Sequence, residues 1–377
     1  MINYGKQYID KYDIKNVVQT LKSNFLTQGP KVKEFENNLK KKFKSKRVLV
    51  VSSGTAALHL INRSIGLKSG DKVISSPITF LSGIATSMHC GAIPDFVDIN
   101  KKTFNLDPQR LEDKLKKEKR AKAVIVTDFA GQPSDWDDLF YLRKKYKIKL
   151  INDNCHSIGS KYKNLTGYAS KYSDATAMSF HPVKNITSGE GGAILTNNEE
   201  IFEKSKVLRS HGIIKEDEHE KWYYEMVDLG YNFRLSDIHA SLGISQLRKL
   251  EKFVKFRQGI AKKYNKLFFN LNHVSIPYLE KNRTHSYHLY VLQIDFKKIN
   301  KNKSKLFKIF QRNGISLQVH YIPLFLHPYF IKNYKFKKND FPNSMDYYEK
   351  SFSIPIFFGI KESIIRKTFS LIKKFVN

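Results

Sequence analysis

RVLVVSSGTAALHLINRSI, residues 47–65, sets four consecutive apolar residues directly before a Ser-Ser-Gly-Thr turn, which opens onto a second apolar run at helical spacing. A strand apolar on both faces belongs inside a parallel sheet covered on both sides. The turn places the first strand-to-helix junction near Ser53. Working outward, the same alternation continues. DKVIS (71–75), IPDFVDI (93–99), AKAVIVTD (121–128), YKIKLIND (146–153), ATAMSF (175–180) and GGAILTN (191–197) read as strands. DPQRLEDKLKK and SDWDDLFYLRKKY read as helices, each opened by an Asp or Ser suited to capping. Upstream, Ile14, Val17, Val18 and Leu21 fall at helical spacing. The stretch 235–269 carries one long helical pattern, after which SYHLYVLQIDF alternates as a strand of a mixed α+β region. The expected architecture is α/β: an N-terminal arm over residues 1–12, a large mostly parallel sheet domain over 13–250, and a smaller C-terminal domain over 251–377.

The composition narrows the function. The 66 basic and 35 acidic residues leave a net charge of +31, which favours an anionic partner and makes nucleic acid the first alternative to exclude. The lysines are spread through KKKFKSKR, DKLKKEKRAK, YLRKKYKIK, FKKINKNKSK and KFKKND, without an RNA-binding signature, finger spacing or basic-helix heptad. They read as solvated faces, and no nucleic-acid partner is expected. No apolar run approaches the roughly 20 residues of a spanning helix, and MINYGKQYID lacks the regions of a signal peptide. A cytoplasmic protein without a membrane partner is expected. Cys90 and Cys155 are too few for a disulfide framework and sit at no metal-ligand spacing, so both are expected as reduced thiols and no metal is expected.

The chemistry gathers around SFHPVKNITSGEGG (179–192). A lysine held away from water loses its preference for the charged form, and its amine becomes a nucleophile toward a carbonyl carbon. Lys184 sits between an apolar strand and a run of small residues, where that environment is expected. Asp153, in LINDNCHSIGS, ends a buried strand, the place where ligands gather in parallel sheets. Alone it reads first as a cap on the next turn. With Lys184 it meets both demands of a pyridine cofactor, a carboxylate for the ring nitrogen and an amine for the aldehyde. Gly54 and Thr55, at a helix start, offer N–H groups and a hydroxyl to a phosphate, although Thr55 also fits a plain N-cap. Ser179 is a second hydroxyl donor or an ordinary strand-end serine. Phe80 stacks on a planar ring or packs in the core. Taken together these residues describe a pyridoxal 5'-phosphate pocket.

The chain resembles the DegT/DnrJ/StrS family of nucleotide-sugar aminotransferases over nearly its whole length. The resemblance rests on YGKQYID, SNFLTQGPKVKEFE, SSGTAALHL, SPITF, DFAGQPSDWDDL, DNCHSIGSKY, SFHPVKNITSGEGGAILTN, LRSHGI, YNFRLSDIHASLGISQLRKL and GISLQVHYIPL. It implies a fold-type I, aspartate aminotransferase-like structure and a ping-pong amino transfer. Lys184 would carry the internal aldimine and move the proton. Asp153 would pair with the pyridine nitrogen and His156 with the phenolic oxygen. Gly54, Thr55 and Ser179 would hold the phosphate, Phe80 would stack on the ring, and Asn232 would reach the phosphate of the neighbouring subunit in a homodimer. Without the family, His156 reads as a satisfied buried histidine and Asn232 as an Asx turn. Gln28, His320, Tyr321 and His327 are substrate-side candidates that fit loop and core packing as well.

The HPV before Lys184 and the N-terminal stretch point within the family to members of pseudaminic acid biosynthesis. The implied donor is L-glutamate, yielding 2-oxoglutarate, and the implied acceptor is a UDP-linked 4-keto-6-deoxy-N-acetylhexosamine aminated at C4. Rival readings are an aminotransferase for another 4-keto (perosamine-type) or 3-keto sugar, a sugar dehydratase, which would carry His in place of Lys184, and a non-enzymatic basic regulator. The chain departs from the family pattern where Asn152 replaces an acidic residue and where Asn154 and Cys155 replace small ones.

Overall fold

A computed structural model describes residues 1–215 and 220–377. Its largest sheet is built by β1 (Arg47–Val51), β2 (Lys72–Ser75), β3 (Ile93–Phe96), β4 (Ala121–Thr127) and β5 (Lys149–Asp153). The short β6 (Lys161–Tyr162) lies outside it, and β7 (Ala175–Ser179) and β8 (Gly192–Thr196) complete seven strands in the order β1-β8-β7-β5-β4-β2-β3. The pairs β2–β3, β2–β4, β4–β5 and β5–β7 are parallel. The two pairs made by β8, to β1 and β7, are antiparallel. The sheet is therefore mostly parallel, as a strand that is apolar throughout implies. The direction of β8 is not carried by its apolar pattern, which is the same either way.

Helices cover both faces. α1 (Lys11–Leu21) and α2 (Pro30–Phe43) precede the sheet, and α3 (Gly54–Ser64) leaves the end of β1. α3 is buried along almost its whole length; Asn62 donates to Thr86 Oγ1 at 3.0 Å, and Ser64 and Ser205 hydroxyls meet at 2.8 Å. The remaining helices of this part are α4 (Ser82–Met88), α5 (Pro108–Lys117), α6 (Trp136–Tyr146), α7 (Tyr168–Tyr172), α8 (Glu199–Arg209) and α9 (Asp237–Arg248). α10 (Leu250–Phe268) leads to a three-stranded antiparallel sheet, Val274–Ser275, Tyr290–Ile294 and Ser351–Ile354, packed in its own hydrophobic core.

Three expectations are corrected. The long helical pattern breaks at Lys249, whose backbone (φ −97°, ψ −3°) separates α9 from α10. Neither Pro nor Gly marks the break. Lys249 is held there by ion pairs to Asp10 (3.0 Å) and Asp13 (2.5 Å), which helical periodicity does not register. α6 has no side-chain cap, because the carboxylate of Asp135 pairs with Arg283 instead. At the start of α3 the cap is Ser53, which accepts from Ala56 N at 3.0 Å and leaves the Thr55 hydroxyl exposed.

α1 carries a further surprise. Its buried residues are Asp13 and Thr20, while Ile14, Val18 and Leu21 are exposed. The arm before it is tied to the other end of the chain: Ile2 N donates to Gly314 O (2.7 Å), and Tyr4 O accepts from Ile356 N (2.9 Å).

Candidate active site

The segments that follow β2, β5 and β7 at their carboxyl ends and the first turn of α3 converge on a cleft of about 740 Å³. This is where an open α/β sheet presents its loops to a ligand. Gly54, Thr55, Phe80, Asp153, His156, Ser179 and Lys184 all line it, as do His320 and Tyr321. Gln28, Asn232 and His327 do not. Gln28 and Asn232 are exposed elsewhere on the surface, and His327 caps the helix Pro328–Asn333.

The lysine loop is fastened at both ends. Phe180 N donates to Gly191 O (2.8 Å), Ser188 N to Phe180 O (3.0 Å), and Lys184 N to His181 O (2.9 Å). Within it Asn185 donates to Ile158 O at 2.9 Å. Gly191 takes φ +157°, which a side chain rarely adopts. Lys184 is thus presented on a rigid turn. Burial pulls its pKa below the ordinary lysine value, with Cys155 and Asp153 opposing. Its amine therefore reaches the neutral, nucleophilic form more readily than a surface lysine does.

Asp153 is almost fully buried at the end of β5. One oxygen accepts from Cys155 N (3.1 Å), and the other lies 3.5 Å from the Thr127 hydroxyl, itself 2.8 Å from Thr79 Oγ1. Among the described residues it forms no ion pair within 4 Å. A buried carboxylate with so few donors is suited to a cationic ligand atom. At the phosphate end, a Cβ on Gly54 would stand 2.8 Å from Ser179 Cβ and 3.2 Å from Cys155 Sγ. Only glycine leaves that space open, beside the first N–H groups of α3, which lack intrahelical partners. His156 and His288 each carry a buried Nδ1 with no hydrogen-bond partner among the described residues, and their rings lie 4.5 Å apart. His156 Nε2 is 3.0 Å from the Tyr321 hydroxyl. Phosphate cradle, lone carboxylate, depressed lysine and unpaired ring nitrogens fit pyridoxal phosphate.

Sequence reasoning missed Tyr4, Thr79, Cys155, His288 and Gln318, all of which line the cleft. His288 precedes the strand Tyr290–Ile294, within an alternating run that shows its strand character but not what it faces. Tyr4 reaches the cleft only because the arm folds back, its ring 4.6 Å from that of His320.

Burial holds His156, His285, His288 and His320 below the ordinary histidine pKa, His285 and His320 at about 3. The unfolded chain takes up protons below about pH 6.5 that these folded histidines refuse. Stability is therefore lost as pH falls through that window, by about 1.4 kcal/mol per pH unit for each histidine. His285→Asn keeps an acceptor for Tyr287 N, which donates to His285 Nδ1 at 2.9 Å. It is expected to reduce the stability loss between pH 7 and pH 5 by about 2 kcal/mol in urea unfolding. An unchanged loss would show that His285 is not held neutral.

Comparison with known proteins places this geometry. The chain is 38% identical over 356 residues to the UDP-4-amino-4,6-dideoxy-N-acetyl-beta-L-altrosamine transaminase of Campylobacter jejuni, covering 94% of this chain and 92% of the relative. It superposes on Helicobacter pylori PseC, an aminotransferase involved in the biosynthesis of pseudoaminic acid, with a TM-score of 0.92 at 30% identity and 98% coverage of both chains. The PLP-form of Spr1654 of Streptococcus pneumoniae matches with a TM-score of 0.89 at 27% identity and 99% coverage of both. The DegT/DnrJ/EryC1/StrS aminotransferase family profile spans residues 7–372. The chain belongs to that family and is a pyridoxal phosphate-dependent aminotransferase of fold type I.

Proposed function

We propose that the chain moves an amino group from L-glutamate to C4 of a UDP-linked 4-keto-6-deoxy-N-acetylhexosamine, in the biosynthesis of pseudaminic acid in the cytoplasm. The observation that carries this reading is the meeting of Lys184, Asp153 and the α3 turn in one cleft, in a chain similar to a transaminase named for that sugar. When bound, the cofactor supplies a conjugated pyridine ring that accepts electron density from the substrate carbon. The protein does the rest. Gly54, Thr55 and Ser179 would hold the phosphate, Phe80 would cover a ring face, and His156 would meet the phenolic oxygen. Asp153 would pair with the ring nitrogen and keep it protonated. Lys184 would supply the amine that faces the cofactor's aldehyde before glutamate arrives. Its freed Nζ then takes the proton from the donor's α-carbon, and in the second half delivers one to C4 of the sugar. Transfer through one fixed amine sets which face of C4 receives the proton. His320 and Tyr321 lie on the substrate side. The same reading divides the chain into a large domain over 13–250 and a small one over 251–377, with the cleft between them.

The working unit is a homodimer in this reading. Ile14, Val18, Leu21, Phe25 and Leu26 are exposed, as are Trp222 and Leu229. Apolar surface of this kind suits a partner subunit. Asn232 and Gln28 lie away from their own chain's cleft, as residues donated to the neighbour's would.

The test incubates the cofactor-loaded protein with glutamate and a panel of nucleotide-linked ketosugars, and determines product configuration by NMR. The expected product is the C4 amine of the UDP-linked N-acetylhexosamine. Amination of a different ketosugar, with this one untouched, would overturn the substrate assignment.

A further inference from the structure

On the reverse side of β5 from the cleft lies a carboxylate for which the reaction above has no use. Asp128, the residue after β4, is fully buried. Its Oδ1 accepts from Ser134 N (2.7 Å) and Trp136 Nε1 (3.1 Å). Its Oδ2 accepts from Asn152 Nδ2 (3.0 Å), Asn154 Nδ2 (3.0 Å) and the Tyr168 hydroxyl (2.8 Å). Burial pushes the Asp128 carboxyl up, and the donated hydrogen bonds oppose it. Five donors converge on two oxygens, and the one that could accept instead, the Tyr168 hydroxyl, already accepts from Asn154 Nδ2 at 2.8 Å, so the group fits its site as the carboxylate. A buried charge of this kind is a costly way to fill space, since apolar packing of the same volume serves stability as well or better.

What it grips is specific. Asn152 and Asn154 are the two neighbours of Asp153. Along an extended chain, neighbours project to the face opposite the residue between them. Asp153 lines the cleft, with the Thr127 hydroxyl beside its carboxylate, and both asparagines reach Asp128 behind. A third tie runs along the backbone, where Asp128 N donates to Asp153 O at 3.2 Å. Asn152 also donates to Val126 O (3.3 Å), and Asn154 N to Ala177 O (2.9 Å), fixing the segment to the strands on either side. On the cleft side Asp153 has, among the described residues, one backbone donor and one long hydroxyl contact. Most of what holds its position therefore comes from behind.

We propose that Asp128 is a positioning residue for the amino transfer, which through Asn152 and Asn154 holds the Asp153 carboxylate at the place of the cofactor's ring nitrogen. This rests on the reading of Asp153 as the partner of that nitrogen. The two asparagines that depart from the family pattern then have a joint role: they are the amides that a carboxylate at 128 requires.

The test compares the affinity of the cofactor-free protein for pyridoxal phosphate and for its analogue with CH in place of the ring nitrogen, by equilibrium dialysis. The two share aldehyde and phosphate, so their ratio reports the ring nitrogen alone. Asp128→Asn turns two amide donors against a third and is expected to lower the preference for pyridoxal phosphate by about tenfold or more, the scale of one charged hydrogen bond. Affinity for the analogue is expected to change by less than about threefold, because its ring makes no such bond. The double variant Asp128→Asn/Asn152→Asp exchanges acid and amide across the same contact and is expected to regain the preference. Should Asp128→Asn not fold, Asn152→Ala removes one tie and is expected to give a smaller loss in the same direction. Equal loss of both ligands, or a preserved preference in Asp128→Asn and Asn152→Ala, would overturn the proposal. Asp153→Ala separates the two readings: if it leaves the preference intact, the role given to Asp153 is wrong, and if it alone abolishes it, only the role of Asp128 is.

Discussion

Replacing Lys184 by alanine or arginine is expected to lower glutamate-dependent release of 2-oxoglutarate by at least about 10⁴-fold, the scale of a lost acid–base group, with the loss of the attachment point added to it. Alanine removes the amine. Arginine keeps a positive charge on a stem of similar length, but its guanidinium is not deprotonated in proteins. The two variants together separate charge from proton transfer. A second readout does not depend on turnover: borohydride treatment of the loaded protein should add the cofactor's mass to the peptide containing residue 184, and to neither variant. Retention of more than about a tenth of the activity by either variant would sink the assignment.

The same substitution bears on stability with the opposite sign. Burial depresses the Lys184 pKa, so between the folded value and the ordinary lysine value the unfolded chain holds a proton that the folded chain does not. Stability of the cofactor-free protein therefore rises with pH through that window, and the rise should be missing in Lys184→Ala. Near neutral pH the alanine variant should unfold no earlier than the parent. A residue whose removal abolishes activity without lowering stability is kept for its chemistry.

How much of this is legible in the sequence follows from the range of each interaction. The seven strands are buried on both faces, so an apolar run such as VLVV is their complete local signature, and their positions can be read directly. Asp153 and Lys184 stand where apolar runs meet turns, and their residue types match the chemistry. Residues brought in from a distance in the chain are not legible. Tyr4 enters the cleft because the arm pairs beside Ile315, and His288 because a C-terminal strand crosses behind His156. Asn152 and Asn154 are visible in the sequence as departures, but their common partner lies 24 and 26 residues away, just past the end of another strand. α1 shows the reverse case. Its apolar periodicity is plain, yet the face it marks is exposed in the single chain, because periodicity reports that a face is to be covered without saying by what.

Asp153→Ala is expected to slow the transfer by about 10³-fold, in line with the removal of one group aimed at developing charge in a closed site. When Lys184 takes the proton from the donor carbon, the electron pair left behind is stabilised to the extent that the ring nitrogen carries positive charge. A buried carboxylate with no cation of its own among the described residues favours that charge. Without it, the nitrogen loses its proton in a site of low dielectric. The defect should therefore be one of charge, and it should be repairable by charge. An analogue methylated on the ring nitrogen is positive at every pH, and it should restore at least about tenfold of the lost rate in Asp153→Ala while serving the parent protein poorly, because the methyl group occupies the space of the hydrogen bond. Asp153→Asn should gain less from the analogue than Asp153→Ala does, since its amide fills the space that the methyl group needs. If the methylated analogue rescues neither variant, the carboxylate acts by holding the ring in place and not by holding its proton, and the electronic role assigned to Asp153 falls.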